Sequence, residues 1–225
     1  DIRIRYEALK NFIGYSLDNF RIFNKIQRAD RMQTLKGNKE NLIKKYIPEL
    51  FVPRESIMDH FESFIRSESI CFPIIGESGI GKTNLICALS ETEINNCLSL
   101  FFNAPDLANG IWGAIKDDFN WQFSAEHSEM EIITNLEGIL PSNYFCCIFI
   151  DAIDEGSGNL GLELDDLINR IKGKKFKLVI SCKDTEWHRF LTRLGSPTFL
   201  SEYIYKTKDA SGINDLDKET EQGII

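Results

Sequence analysis

The sequence ICFPIIGESGIGKT, residues 70–83, places an apolar run directly before a glycine-rich loop. Residues 76–83 match the phosphate-binding pattern G-x-x-x-x-G-K-[ST] at every specified position. The glycines allow successive backbone N–H groups to converge on a phosphate at the start of the following helix. We expect Lys82 to reach the β- and γ-phosphates of a nucleotide and Thr83 to supply a hydroxyl ligand to Mg²⁺. The predicted nucleotide-binding loop consists of Gly76, Glu77, Ser78, Gly79, Ile80, Gly81, Lys82 and Thr83.

The composition of the 225 residues excludes several classes of function. No apolar run approaches the roughly 18 residues of a membrane span, and the charged start DIRIR is not a signal peptide. We therefore expect a cytoplasmic protein with no membrane partner. The net charge of −8 argues against broad binding of nucleic acid by this segment, because such binding needs a basic face.

The six cysteines lie mostly within apolar runs and form no C-x-x-C pair. This pattern is typical of buried, reduced thiols. With only three histidines beside them, the cysteines spell out no zinc site.

From residue 70 onward, predicted strands and helices alternate, which indicates a parallel sheet covered on both faces. Strands are predicted near residues 71–75, 97–103, 145–151, 177–181 and 202–206, and helices near residues 82–90, 109–121, 129–139 and 164–171. Gly173 is expected to end the last of these helices. The predicted fold class is α/β, a three-layer P-loop NTPase fold of the additional-strand (ASCE) type. In it the glycine-loop strand is central, with the strands ending in Asp151 and Ser181 beside it.

Three segments are predicted along the chain. Residues 1–48 form a helical N-terminal segment and linker, because apolar residues between Phe12 and Ile26 recur at helical spacing. Residues 49–207 form the P-loop domain, which opens with an amphipathic helix over residues 55–66. Residues 208–225 form a polar C-terminal tail that leads toward further domains.

A second chemical signal is the sequence FCCIFIDAIDE, residues 145–155. An apolar strand here delivers Asp151 at its carboxyl end, where open α/β sheets place their ligands. From that position Asp151 is predicted to hold Mg²⁺. Asp154 and Glu155 follow in the loop, where a carboxylate can orient or deprotonate a water that attacks the γ-phosphate. Asp154 is the first choice for this base and Glu155 the second.

The sequence KLVISCKD, residues 177–184, repeats the pattern of a buried strand with polar residues at its end. Ser181 and Lys183 are therefore predicted to face the γ-phosphate from a neighbouring strand. Trp187 and Phe190, on the next helix, are interpreted as packing residues and not as a platform for base stacking.

Taken together, four motifs resemble STAND NTPases of the NACHT-like kind, especially bacterial antiviral STAND proteins. They are ELFVPRE (49–55), the glycine loop (76–83), DAIDE (151–155) and SCK (181–183), and the resemblance covers roughly residues 46–206. The most specific features are the small Ala152 and the acidic pair three and four places after Asp151. Many other P-loop ATPases place glutamate immediately after the aspartate.

The resemblance implies roles for residues that spacing alone does not assign. Val52 and Arg54 would border the adenine and ribose, and Lys183 would sense the γ-phosphate. Pro53 stands where glycine is common in that family, and Lys183 where arginine is usual. The lysine keeps the charge but lacks the planar fork of a guanidinium.

The resemblance further implies a slowly hydrolysing switch that uses Mg²⁺, has ATP and ADP as its ligands and drives homo-oligomer assembly in a longer protein. An effector domain and a trigger, such as a foreign protein, would be its partners. Three alternatives stay open: a nucleotide-gated scaffold without turnover, an AAA+-type initiator ATPase, and a P-loop phosphotransferase. The phosphotransferase is the weakest, because few arginines follow the loop to form a lid over the phosphates.

Overall fold

The computed structural model describes residues 17–36, 45–48, 51–52, 55–91 and 96–206. Its centre is a sheet of four parallel strands, in the spatial order β1-β4-β3-β2. The strands are β1 (Cys71–Gly76), β2 (Cys97–Asn103), β3 (Phe145–Asp151) and β4 (Phe176–Lys183). All four were predicted from the sequence, within two residues at each end. Within the described residues, no helix is both long and apolar enough to cross a membrane.

The order of the strands decides which polar residues meet. β4 lies between β1 and β3, so the strand that ends in Ser181 is the direct neighbour of the glycine-loop strand. The strand that ends in Asp151 is one position further away, and not directly beside β1 as we expected. β1 itself stands at the end of the four-strand order of the described residues, and not at its centre as we expected. This insertion of β4 is the ASCE arrangement, and the predicted fold class is confirmed.

The sheet is flanked by helices that mostly match the sequence pattern. The helices are α1 (Leu17–Lys36), α2 (Glu55–Arg66), α3 (Lys82–Glu91), α4 (Gly110–Asp118), α5 (Glu129–Ile139), α6 (Leu160–Ile171), α7 (Asp184–Leu191) and the short α8 (Phe199–Glu202). Single 3₁₀ turns follow β2 (Ala104–Asp106) and β3 (Ile153–Glu155), and a small hairpin joins β5 (Thr192–Arg193) to β6 (Ser196–Pro197). Gly173, at a φ of +71°, follows α6 as predicted.

Two apolar layers hold the helices to the sheet. Alternate residues of each strand point to opposite faces, and each face has its own buried cluster. One face packs against α4 to α7, with Ile148 and Ile180 among its strand residues. The other packs against α2 and α3, with Phe72 and Phe149. Trp187 and Phe190 are buried in the first cluster, which confirms their interpretation as packing residues.

The N-terminal helix α1 covers the outer edge of the sheet. The side chain of Asn24 donates a hydrogen bond to the backbone oxygen of Ser99 in β2. Arg31 forms two hydrogen bonds with the carboxylate of Asp118, at 2.7 and 2.5 Å, and lies over the ring of Phe102. Since an edge strand exposes unpaired backbone groups, α1 protects β2 and is packed on the domain that follows it. The boundary at residue 48 stays a prediction.

The structure corrects two further expectations. The segment predicted as a fifth strand, residues 202–206, makes only a single parallel bridge, between Ile204 and Cys71. Cys97 and Cys147, expected to be reduced thiols, are paired as a disulfide, because they are diagonal neighbours on one face of adjacent strands. The remaining four cysteines are buried free thiols, as expected. The predicted tail, residues 208–225, lies outside the described residues.

Candidate functional site

The glycine loop connects β1 to α3 in the expected order. Gly79 and Gly81 have φ angles of +86° and +101°, and a Cβ at either position would contact nothing within 4 Å. These positions need glycine for their backbone conformation and not for lack of space. Lys82 begins α3, and its ammonium donates to the backbone oxygens of Gly76 and Glu77, both at 2.7 Å. The lysine thus closes the loop onto itself.

A cleft of about 300 Å³ opens at the carboxyl edge of the sheet, in front of this loop. Its lining residues are Lys45, Ser78, Gly79, Gly81, Lys82, Thr83, Asn84, Asp151, Ala152, Asp154, Glu155, Ser181 and Lys183. Most of the predicted site residues therefore converge on one cavity. Gly76, Glu77 and Ile80 belong to the loop without lining the cleft. Val52 is 77% exposed outside it, and Arg54 lies outside the described residues.

Asp151 is held in place by a hydroxyl group of the neighbouring strand. Ser181 Oγ donates to Asp151 Oδ1 at 2.5 Å, and Thr83 lines the same cleft as this carboxylate. The residue is only 2% exposed. Burial raises the pKa of Asp151, and the hydroxyl groups of Ser181 and Thr83 act against that rise. Ser181 thus supports the carboxylate, which differs from the predicted direct approach of its hydroxyl to the γ-phosphate.

The turn after Asp151 depends on a left-handed residue. Ala152 has φ 55° and ψ 53°, a conformation that a small non-glycine residue tolerates at some cost. Its N–H donates to Ser181 Oγ at 2.8 Å. The chain then forms the 3₁₀ turn Ile153–Glu155, which brings both acidic side chains back to the cleft.

The two acidic residues of this turn occupy different environments. The Asp154 side chain is 3% exposed, accepts the N–H of Lys183 at 3.1 Å and pairs with the Lys183 ammonium at 3.0 Å. The Glu155 side chain is 38% exposed and lies between two ammonium groups, 3.1 Å from Lys45 and 3.7 Å from Lys183. The Asp154 carboxylate is therefore buried in its pair with Lys183, whereas the Glu155 carboxylate is partly exposed to water.

Lys183 stands opposite the end of the glycine-loop strand, since Gly76 and Lys183 are partners in the register of β1 and β4. Its hydrogen bond and charge interaction with Asp154 raise the pKa of Lys183. By contrast, burial lowers the pKa of Lys82, and nearby carboxylates oppose that change. Lys82 lines the cleft from the start of α3, and Lys183 lines it from the end of β4.

Sequence reasoning missed two residues of the site. Lys45 lines the cleft from the segment that follows α1, and Asn84 lies immediately after the glycine-loop motif. Asn84 binds the backbone of this segment, accepting from the N–H of Ile47 at 2.9 Å and donating to the oxygen of Lys45 at 3.4 Å. The position of Asn84 directly after Thr83 is a usable signal, but no pattern around Lys45 predicts its location.

A second cavity, of about 240 Å³, adjoins the cleft and shares Lys45, Asp151, Ala152 and Glu155 with it. Asn103 lines this cavity from the end of β2, opposite Asp151 in the register. It is 7% exposed, and its Nδ2 donates to Asp106 at 3.0 Å, whereas its Oδ1 has no partner within the described residues. The polar face of the site therefore extends beyond the predicted residues.

The donor set at Thr83 and Asp151 fits Mg²⁺. Mg²⁺ prefers oxygen ligands and takes only one or two from the protein when phosphates and water complete its shell. One hydroxyl and one carboxylate, which line the same cleft beside the glycine loop, meet that requirement. The described residues contain no group of three or more acidic, histidine or cysteine ligands that would form a separate metal cage.

Comparison with protein-family models and with curated proteins gives no match. Among solved structures, Cdc6p from Pyrobaculum aerophilum is similar, with a TM-score of 0.46 and 14% identity over 71% of this chain and 48% of that chain. A Drosophila ORC structure bound to poly(dA/dT) DNA and Cdc6 has a TM-score of 0.45 and 15% identity over 95% of this chain. A second, bound to GC-rich DNA and Cdc6, has a TM-score of 0.45 and 12% identity over 89%.

This chain spans less than half the length of each of these three chains, covering 48%, 34% and 30% of them respectively. At these identities and TM-scores, the similarity does not bear on the activity or the partners of this protein.

Proposed function

We propose that this chain binds ATP with Mg²⁺ at the carboxyl edge of its sheet and hydrolyses it slowly. The observation that carries the proposal is the junction of two separate motifs in one cleft. Thr83, from the glycine loop, and Asp151, from the end of β3, line the same cleft, and Lys82 lies beside Thr83 on the same helix. A loop, a hydroxyl and a carboxylate in this arrangement are what a Mg-nucleotide needs.

Different residues of the cleft bind the phosphates, hold Mg²⁺ and orient the attacking water. The loop amides of residues 78–83 and Lys82 bind the phosphates, and Lys183 faces the terminal phosphate. Thr83 and Asp151 would hold Mg²⁺, which neutralises charge on the β- and γ-phosphates when bound. Two residues, Asp154 and Glu155, were predicted as the base that activates the attacking water. The pairing of Asp154 with Lys183 favours a structural role for Asp154. The more exposed Glu155 is better placed to orient the attacking water.

At the finer level, we propose a switch module of the STAND type, from an antiviral defence protein, in which ATP licenses homo-oligomer assembly. Support comes from Ala152, which occupies the position after Asp151 where many other P-loop ATPases carry glutamate. The acidic pair comes instead from the 3₁₀ turn that follows the left-handed Ala152. Sedimentation of the full-length protein tests the assembly step, because a switch of this type gains mass with Mg-ATP and not with Mg-ADP.

The test of nucleotide binding is thermal unfolding with and without Mg-ATP. At about 100 times the dissociation constant, a ligand that binds only the folded state adds roughly 2.7 kcal/mol to the free energy of unfolding. Lys82→Ala is expected to abolish most of this shift and to leave the ligand-free protein folded. Lys116→Ala, in the last turn of α4 and outside the cleft, is the matched control and keeps the full shift. A Lys82 variant that responds like the wild type contradicts the proposed site.

A further inference from the structure

We propose that Lys45 is a third phosphate-binding cation of the cleft, supplied from the segment before the P-loop domain, and that it distinguishes ATP from ADP by contacting the γ-phosphate. The inference rests on the proposed nucleotide site and adds a specificity-determining residue to it. No motif in the sequence marks Lys45, and only the fold brings it to the cleft.

The backbone of Lys45 is fixed on both sides. Its N–H donates to the oxygen of Leu35 in α1 at 2.9 Å, and its own oxygen accepts from Asn84 in α3 at 3.4 Å. The next residue, Tyr46, is 2% exposed and donates its hydroxyl hydrogen to Glu91 at 2.6 Å. A side chain that starts from a fixed backbone loses less entropy when it binds a ligand. The backbone of Lys45 is thus already held in place before a nucleotide binds.

The Lys45 ammonium lies at the end of the cleft where the terminal phosphate is expected. Its Nζ is 3.1 Å from Glu155 Oε2, and Lys45 lines the same cleft as the Asp151 carboxylate. In P-loop sites the Mg²⁺-binding carboxylate and the water-orienting group flank the γ-phosphate. A cation that pairs with Glu155 and lines the same cleft as Asp151 is therefore at the γ-phosphate end and not at the adenine end.

The balance of charge in the cleft also requires a third cation. Three carboxylates line the cleft: Asp151, Asp154 and Glu155. With Lys82 and Lys183 as the only cations, the cleft would carry a net negative charge. It would then repel a nucleoside triphosphate with its Mg²⁺, which is itself an anion. Lys45 makes the number of positive side chains equal to the number of carboxylates. Since an ammonium has three donors, Lys45 can keep Glu155 and bind a phosphate oxygen at the same time.

A contact between Lys45 and the γ-phosphate would favour ATP over ADP. A charge-assisted hydrogen bond to the γ-phosphate exists with ATP and is missing with ADP. Lys82, by contrast, reaches both the β- and the γ-phosphate. Loss of Lys45 should therefore lower the affinity for ATP more than that for ADP, whereas loss of Lys82 lowers both.

The experiment is calorimetric titration of Mg-ATP and Mg-ADP into the wild type, Lys45→Gln, Lys45→Arg and Lys82→Ala. Lys45→Gln is expected to weaken ATP binding by about tenfold or more and ADP binding by less than about twofold. Lys45→Arg retains most of the preference for ATP because it keeps the charge. The matched control is Lys36→Gln, whose ammonium lies over the Tyr46 ring and outside the cleft, and it should leave both affinities unchanged.

Two results overturn the inference and leave the nucleotide site intact: equal loss of ATP and ADP affinity in Lys45→Gln, or no loss of either. A wild type that binds neither nucleotide overturns the proposed function together with this inference. Unfolding of the nucleotide-free variants is measured alongside. Lys45 and Glu155 are both more than a third exposed, so breaking their pair should leave the melting temperature nearly unchanged.

Discussion

Ser181 Oγ donates a 2.5 Å hydrogen bond to Asp151 Oδ1 and accepts the N–H of Ala152 at 2.8 Å. A single hydroxyl of β4 thereby fixes both the carboxylate at the end of β3 and the left-handed turn that follows it. Because Ser181 and Asp151 are each no more than 2% exposed, water cannot readily replace the serine. The serine is thus a positioning residue for the carboxylate proposed to bind Mg²⁺.

Replacing Ser181 by alanine should therefore affect stability and the metal site together. Ser181→Ala leaves the Ala152 N–H and one carboxylate oxygen without their partner, which costs roughly 1–3 kcal/mol of unfolding free energy. It also removes a hydrogen bond that opposes the raised pKa of Asp151, so that this pKa rises further. Since Mg²⁺ binds the ionised carboxylate, the pH midpoint of Mg²⁺-dependent ATP binding should move upward.

The matched control for this variant is Ser90→Ala. Ser90 is fully buried and donates to the oxygen of Cys87 within α3, away from the cleft. Its loss should cost about 1 kcal/mol and leave the pH midpoint where the wild type has it. A Ser181 variant with an unshifted midpoint would show that the serine supports the fold but not the carboxylate.

The unequal burial of Asp154 and Glu155 predicts different effects of neutralising them. Glu155→Gln should keep nucleotide affinity within a few-fold and slow phosphate release, because orienting the water matters only in the reaction. Asp154→Asn should lower the free energy of unfolding by roughly 1–3 kcal/mol, since it breaks the pair with Lys183. Denaturant unfolding and single-turnover phosphate release separate the two effects.

The opposite pattern would restore Asp154 as the base: a stable Asp154→Asn protein without turnover, and an active Glu155→Gln protein. If both variants release phosphate at the wild-type rate, neither carboxylate is catalytic, and the alternative of a nucleotide-gated scaffold gains support.

Lys177 predicts a dependence of stability on pH outside the nucleotide site. The residue is 4% exposed, and its ammonium donates to the oxygens of Ser67 and Ser69 at 2.7 and 2.6 Å. Burial lowers its pKa from the usual 10.5 to about 8. Between these values the unfolded chain binds more protons than the folded one, so the free energy of unfolding should rise with pH, by at most about 1.4 kcal/mol per unit. Below pH 8 the lysine is protonated in both states and adds no slope.

Unfolding of the wild type and of Lys177→Met over this pH range measures the effect. The variant should lose the rise even though its stability falls overall, because two backbone oxygens lose their donor. Lys175→Met is the control, since Lys175 also donates to two backbone oxygens, of Leu140 and Pro141, from a less buried position. Identical slopes in the wild type and in Lys177→Met would rule out this titration.

The fold was predictable because its signals are local. An apolar run before the glycine loop identifies β1 and the start of α3, and the run before Asp151 identifies β3, without any knowledge of distant contacts. The weakest predicted strand, at residues 202–206, was reduced to one bridge. Its sequence has no apolar run comparable to those of the four strands that formed.

By itself, the sequence determined the phosphate loop, the carboxylate at the end of β3 and the class of the sheet, since each follows from residue types a few positions apart. Only the tertiary structure decided that Asp154 forms an ion pair with Lys183 and is shielded from water, whereas Glu155 is partly exposed. It also decided that Lys45 reaches the cleft. Both outcomes depend on contacts between residues 29 or more positions apart: Asp154 with Lys183 of β4, and Lys45 with Asn84 and Glu155. Such pairings are set by strand register and by the left-handed turn at Ala152, which no periodicity of the sequence encodes.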